Sequence, residues 1–244
     1  MELSHEKHMR SLFIVALPRS LSAVIYHAAR TALGLDETVW TSEGEILNND
    51  RFSLYGGPRH DSGMKYVSPI LEPRSFDAVI AFLDDVIRRE GRVYKDVVHP
   101  FAVSAWLPTS GLRVLRVRRC VEDVAFAMRL QGWTFPARAV SLGSDDRTMP
   151  TLETAIIDGL LRAEQALEAL PGEVVDYDSL IEDEDVLRGA LSRLYPGVRL
   201  HEFRYIDEGF CWKRDAALAR KQWSTYRELA ALVHRRRAML AAHA

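Results

Sequence analysis

Two short stretches of this sequence concentrate groups able to hold a polyanion. The first, Pro18-Arg19-Ser20-Leu21-Ser22-Ala23, ends the apolar run Leu12 to Leu17 and leads straight into another apolar run. Arginine offers a planar pair of donors suited to phosphate or sulfate oxygens, and Ser20 and Ser22 add hydroxyl donors. A helix opening near Ser20 would contribute unpaired N–H groups and the positive end of its dipole. The glycine-rich patterns GxGxxG and GxxxxGKS/T are absent. The stretch therefore reads either as an anion cradle without the usual glycines or as a plain strand-to-helix turn with an exposed arginine. The second stretch is Arg116-Val117-Arg118-Arg119. Alternation along a strand puts Arg116 and Arg118 on one side and predicts for them a role different from that of Arg119. A solvated basic face at a strand end is the plain alternative.

These stretches need elements to present them. Leu12 to Leu17 predicts a strand buried on both faces. Ser20 to Leu33 predicts a helix, with hydroxyls able to cap its start and Gly34 to close its end. Val39-Trp40 begins a short extended segment. Ser53 to Arg74 contains Gly56, Gly57, Pro58, Gly63, Pro69 and Pro73, which predicts an irregular loop of the length typical of lids and binding elements. Helical spacing covers Phe76 to Arg89. Arg92 to Val98 and Leu112 to Val117 predict strands, separated by a short helix from Phe101 to Leu107 that ends before Pro108. Further helices are expected at Val121 to Met128, Thr151 to Leu170, Asp185 to Leu194 and Trp223 to Leu240. In the second of these, Leu152, Ile156, Leu160, Ala163 and Leu167 share a face. Glu173 to Tyr177 predicts another strand. Strands alternating with helices indicate one α/β domain across residues 1–244, a mostly parallel sheet with helices on both faces. Ligands in such sheets bind at the carboxyl ends of strands, where both arginine stretches fall.

The 244 residues suffice for a substantial core, and 48% hydrophobic with 27% charged residues is ordinary globular composition. A formal net charge of -2 gives no general attraction to nucleic acid or anionic membrane, so an anionic ligand must be held by local cations. The two cysteines, Cys120 and Cys211, read as reduced, buried thiols. Met1 to Arg10 is polar, and no apolar run is long enough to span a bilayer. A soluble cytoplasmic protein is expected, with no nucleic-acid partner and no stable membrane insertion. His201, His234 and His243 lack metal-ligand spacing, so no metal is expected. His27 has no assigned role, and Arg235-Arg236-Arg237 reads as a solvated basic face of a terminal helix.

The stretch ALPRSLSAVIYHAA resembles the 5′-phosphosulfate loop of sulfotransferases. In that loop a strand runs into Pro, Lys or Arg, Ser, Gly, two hydroxyl residues and an apolar helix. Pro18, Arg19, Ser20 and Ser22 match, whereas Leu21 replaces the glycine and Ala23 the second hydroxyl. The stretch LRVLRVRRCVEDVAFAMRL is similar to the family's 3′-phosphate signature. Arg119 falls on its arginine and Asp123-Val124-Ala125 on its Asp-Val-Ala run, and Ala127 stands where the family has a serine. VYKDVVHP and EVVDYDSLIEDEDVLRGALSRL echo the lysine strand and the late strand-turn-helix of the family. The four echoes occur in the family's order from Leu12 to about Leu194. The Arg-Lys-Gly loop of many animal members is missing, with only Lys213, Arg214, Arg220 and Lys221 as loose substitutes.

The resemblance implies a P-loop NTPase-like sulfotransferase fold of bacterial type. It also implies 3′-phosphoadenosine 5′-phosphosulfate as co-substrate and a hydroxyl acceptor on a small molecule, glycan or lipid. Pro18 to Ala23 would cradle the 5′-phosphosulfate, with Arg19 on the transferring group. Arg119 and the Ala127 position would meet the 3′-phosphate, and Lys95 would lie near the bridging oxygen. Relatives place a base in a Gly-Glu-Leu-Phe-Asn pattern, which Gly44 to Asn48 resembles, so Glu45 is a candidate and Glu43 its alternate. Other branches use a histidine after the lysine strand, which makes His99 a rival although it follows Lys95 by four residues and not two. A histidine needs no tuning to act as base near neutrality, whereas a glutamate needs burial. Loop 53–74 would cover the acceptor, and residues 213–244 form a helical C-terminal region. Two alternatives stay open: a phosphotransferase using ATP and Mg²⁺, and a binding protein of the same fold without catalysis. Trp40, Phe52, Tyr55, Trp106 and Trp133 are acceptor-pocket candidates as well as core candidates.

Overall fold

The computed structural model describes residues 9–35, 65–140 and 151–242. Glu43, Glu45, Trp40, Phe52, Tyr55 and most of the loop 53–74 lie outside the described residues. The ordered elements run β1 (Leu12–Ala16), α1 (Ser22–Leu33), α2 (Pro73–Val86), β2 (Val93–Asp96), α3 (Pro100–Ser110), β3 (Arg113–Arg118) and α4 (Val121–Gln131). A 3₁₀ turn (Phe135–Ala139) precedes α5 (Leu152–Glu168), β4 (Glu173–Asp176), the single turn α6 (Tyr177–Leu180), α7 (Asp185–Leu194), α8 (Glu208–Arg220) and α9 (Ser224–Ala241).

The four strands pair in parallel in the order β2-β1-β3-β4. β1 is fully buried, and its side chains divide between two cores with the two-residue period of a strand. Phe13, Val15 and Leu17 join residues of α2, α3, α4, α5 and α9, including Phe82, Val103, Met128, Leu160 and Val233. Leu12, Ile14 and Ala16 join α1 and α7 through Ile25, Ala29, Leu187 and Leu191. The result is the three-layer, parallel α/β architecture expected from the continuous apolar strand. Pairing sets Val15 beside Asp96 and Arg116, and Arg118 beside Asp176. The carboxyl ends of all four strands therefore open onto one edge.

Several boundaries differ from the sequence pattern for local reasons. α2 begins at Pro73, because proline fits the first helical position, where its missing N–H costs nothing. α3 likewise starts at Pro100, and it runs through Pro108 to Ser110 instead of stopping before the proline. Pro108 lies in the last turn, where Thr109 Oγ1 and Ser110 Oγ donate back to the carbonyls of Trp106 and Leu107. Leu152 is 56% exposed although it shares the stripe with buried Leu160, Ala163 and Leu167, because it sits in the first turn, capped by Thr151. α8 starts at Glu208, ahead of the expected region 213–244. It buries no residue, so the apolar period that marks the other helices is missing, and Asp207 caps it through the N–H of Phe210. Cys120 is exposed and Cys211 partly so, both as free thiols and neither in the core.

Candidate active site at the carboxyl edge of the sheet

Between β1 and α1 the backbone takes two left-handed turns at non-glycine residues, Arg19 at φ 63° and Leu21 at φ 65°. Leu21 is the N-cap of α1, and no side chain caps that helix, so neither serine hydroxyl takes the capping role expected of it. A left-handed residue followed directly by a right-handed helical one turns consecutive N–H groups to the same side, a concavity suited to an anion. The first-turn N–H groups of α1 have no intrahelical partner. Ser20 Oγ is fully buried and, among the described residues, also unpartnered. Among the described residues the loop thus presents donors that protein atoms leave unused, an arrangement suited to an oxyanion. Leu21, where the sequence resemblance leads one to expect glycine, occupies a φ that glycine adopts freely.

Arg119, just beyond β3, closes over this loop. Its Nη1 donates to the carbonyl of Arg19, and its guanidinium lies 4.0 Å from the centre of the Tyr177 ring at the end of β4. Asp123 holds it from the other side, with Oδ2 3.9 Å from Arg119 Nε. Asp123 also accepts from Tyr226 Oη at 2.6 Å and meets Lys221 Nζ at 2.6 Å. Burial raises the Asp123 carboxyl, but hydrogen bonds from Lys221 and Tyr226 and the charges of Lys221 and Arg119 outweigh it, so it lies below the usual range. The neighbouring arginines are committed elsewhere, as strand alternation predicts. Arg116 Nη1 donates to the carbonyls of Leu167 and Glu168 at 3.0 and 3.1 Å, closing the end of α5. Arg118 forms a forked pair with Asp176 at 2.6 and 3.0 Å. A cleft of about 380 Å³ borders Leu17, Arg116, Arg119, Glu164 and Asp176. A larger one, about 680 Å³, is lined by five carboxylates, those of residues 182–185 and Glu202, against two arginines, Arg188 and Arg204, a net negative charge that opposes an anionic donor.

At the end of β2 the chain forms a second polar cluster. Asp96 Oδ1 accepts from the backbone N–H groups of Val98 and His99 at 2.9 and 2.7 Å, and Oδ2 lies 2.8 Å from His99 Nδ1. Burial raises the Asp96 carboxyl, yet the charge and hydrogen bonds of His99 and the Val98 N–H bring it below its ordinary value. An ionised carboxylate can only accept, so the Nδ1 position of the ring carries the hydrogen and Nε2 offers a lone pair when the ring is neutral. His99 is 2% exposed, and among the described residues Nε2 has no partner. Lys95 is 1% exposed and alternates with Val93 and Val97 toward the layer containing α1.

From β2 to β4 the edge thus carries the Asp96–His99 pair, the Arg19–Ser22 loop, Arg119 and Tyr177. The structure brings Arg19, Ser20, Leu21, Ser22, Lys95, His99 and Arg119 to adjacent strand ends; Ala127 has no polar contact to offer on α4. Asp96 and Tyr177, to which the residue types alone gave no role, contact His99 and Arg119. The signal for Asp96 is an aspartate at a strand end two residues before Val98, the spacing of an Asx turn. Trp133 stands beside the site, 39% exposed, with the Arg19 guanidinium 5.6 Å from its ring centre. Trp106 packs on Phe13 in the core and donates to Asp84. Of the C-terminal cations, Lys221 reaches the Arg119 network, while Arg214 pairs with Glu182 and Asp215. Of Arg235 to Arg237, Arg235 is exposed as expected, whereas Arg236 grips Asp158 at 2.8 and 2.5 Å and the exposed Arg237 pairs with Glu164 on α5.

No family model matches the chain, and no curated protein sequence does. Among solved structures, a sulfotransferase from Mycobacterium tuberculosis is similar over 96% of this chain and 77% of its own, with 14% identity and a TM-score of 0.51. That likeness shows a shared fold. A sulfotransferase domain from the olefin synthase of Synechococcus aligns over 97% of this chain and 96% of its own, at 15% identity and TM-score 0.41. One from the curacin biosynthetic pathway aligns over 93% of this chain and 98% of its own, at 13% identity and TM-score 0.39.

Proposed function

We propose that this chain is a sulfotransferase that moves a sulfuryl group from 3′-phosphoadenosine 5′-phosphosulfate to a hydroxyl of a small molecule, glycan or lipid. The observation that carries the reading is the unsatisfied donor loop at Arg19 to Ser22 lying one strand away from a carboxylate-oriented histidine with a free Nε2. The loop from Pro18 to Ala23 would take the 5′-phosphosulfate on its N–H groups and the Ser20 and Ser22 hydroxyls, with Arg19 on the sulfuryl oxygens. Arg119 would anchor the 3′-phosphate beside Tyr177, and Lys95 would stand under the bridging oxygen. His99 would take the acceptor proton, with Asp96 holding the ring and stabilising the imidazolium that forms. Glu45 and Glu43 remain rival bases. The transferring group carries little covalent chemistry for the protein to perform, so placement and positive charge supply most of the rate. Among the described residues no helix is long and apolar enough to cross a membrane. A cytoplasmic setting belongs to the proposal.

Calorimetric titration with adenosine 3′,5′-bisphosphate tests donor recognition. Micromolar binding that is lost in Arg19→Ala and Arg119→Ala supports it. Binding of ATP with Mg²⁺ and none of the bisphosphate would replace the reading with a phosphotransferase. Bisphosphate binding without any transfer would leave a non-catalytic binding protein.

A further inference from the structure

We infer that the Tyr66 hydroxyl is a second acceptor-binding group, donating a hydrogen bond to the acceptor oxygen while His99 Nε2 takes that oxygen's proton. The inference rests on the sulfotransferase reading and adds a residue to it. Tyr66 is fully buried, and its backbone is left-handed at φ 57°, a conformation bulky side chains avoid. Its N–H donates to the carbonyl of Val98 at 2.7 Å. Val98 belongs to the same turn in which Asp96 fixes His99, so one four-residue turn positions both the tyrosine and the histidine. The ring is clamped edge-on by Phe101 at 6.1 Å and tilted against Phe135 at 5.5 Å.

Among the described residues, Tyr66 Oη, on the side chain whose backbone docks on this turn, and His99 Nε2, within it, are buried polar atoms without a partner. Native interiors seldom leave such groups unpaired, and a catalytic role is one of the explanations for the exceptions. The two are complementary in kind. Burial and the nearby Asp96 charge hold the phenol protonated, so it is a donor, and the imidazole Nε2 opposite the Asp96 hydrogen bond is an acceptor. A hydroxyl group has one hydrogen to give and lone pairs to receive, which matches the pair. In the transfer step the acceptor O–H proton passes to Nε2 and the acceptor oxygen forms a bond to sulfur. The bond between sulfur and the bridging oxygen breaks, leaving a sulfate ester, adenosine 3′,5′-bisphosphate and an imidazolium on His99. The Tyr66 O–H would restrict the oxygen's orientation and favour the charge that develops as its proton leaves.

Tyr66→Phe removes only the oxygen. Four readouts on the purified chain decide the inference: the melting midpoint, bisphosphate affinity, release of radiosulfate from labelled donor to water, and the same release in a His99→Ala background. Water offers the same hydrogen and lone pairs as an alcohol, so the pair must activate it as well. The expected result is a melting midpoint equal to or above that of the parent chain, unchanged bisphosphate affinity, and release slowed by about 10-fold to 100-fold. In His99→Ala the tyrosine substitution should add little, since the two groups act on one oxygen. A lowered midpoint would mean the hydroxyl has a structural partner, and an unchanged release rate would mean it touches no acceptor; either overturns the inference. Bisphosphate binding without any release in the parent chain also overturns it, while absence of bisphosphate binding removes the sulfotransferase reading itself.

Discussion

Leu21 offers the sharpest test of the donor loop, because its left-handed backbone sets two effects of glycine substitution against each other. An L-residue at φ 65° carries about 1–2 kcal/mol of steric cost, which glycine relieves. Glycine in turn loses more chain entropy on folding, about 0.5–1 kcal/mol relative to alanine. Leu21 is also partly buried against the core formed by α1 and α7, and truncating it removes that packing in both Leu21→Gly and Leu21→Ala. The packing loss cancels when the two variants are compared with each other. What remains favours glycine by roughly 0.75 kcal/mol at the midpoints of the two ranges, the reverse of the order in a helix interior. For a chain of this size that is a melting difference of about 1–4 °C, readable by thermal denaturation followed by circular dichroism. An alanine variant that melts at or above the glycine variant would refute the left-handed loop on which the anion site depends.

Three further outcomes follow from the same geometry. Asp96→Asn should slow turnover by about 10²-fold or more while leaving bisphosphate affinity unchanged, because the amide cannot fix the histidine hydrogen as a carboxylate does; steady-state kinetics beside calorimetry separates the two. Arg118→Ala should leave melting within about 2 °C and bisphosphate binding unaltered, since its pair with Asp176 is exposed and such pairs contribute little. The carboxyls of Asp96 and Asp123 both lie below their ordinary value of 3.8 in the fold. Their stabilisation is complete above that value and is lost as pH falls through their folded values, so the acid limb of a pH–melting curve should steepen below about pH 4 and flatten in Asp123→Asn.

The sheet and most helices were legible because local pattern and burial coincide. Leu12 to Leu17 is apolar without interruption and proves buried on both faces, and Gly34 closes α1 in the left-handed conformation its type predicts. α8 was illegible in its first half because a helix that buries nothing leaves no apolar period. At the site, the separation of Arg119 from Arg116 and Arg118 followed from strand alternation alone. Leu21 was visible as a missing glycine, but its left-handed φ is a property of the folded loop. Tyr66 gave no signal, since its meaning comes from a long-range hydrogen bond to Val98 and from an unpaired oxygen. Pairing of the same kind gave Asp123 its partner Tyr226 on α9, about a hundred residues downstream in the chain.

The central claim is sulfuryl transfer, and its most direct measurement is incubation of the chain with radiosulfur-labelled 3′-phosphoadenosine 5′-phosphosulfate and a panel of small-molecule, glycan and lipid hydroxyl acceptors. The account predicts label on at least one acceptor, with transfer lost in His99→Ala and retained in Glu45→Gln. Transfer that survives His99→Ala and disappears in Glu45→Gln would contradict the base assigned here, and label that never leaves the donor would contradict the activity.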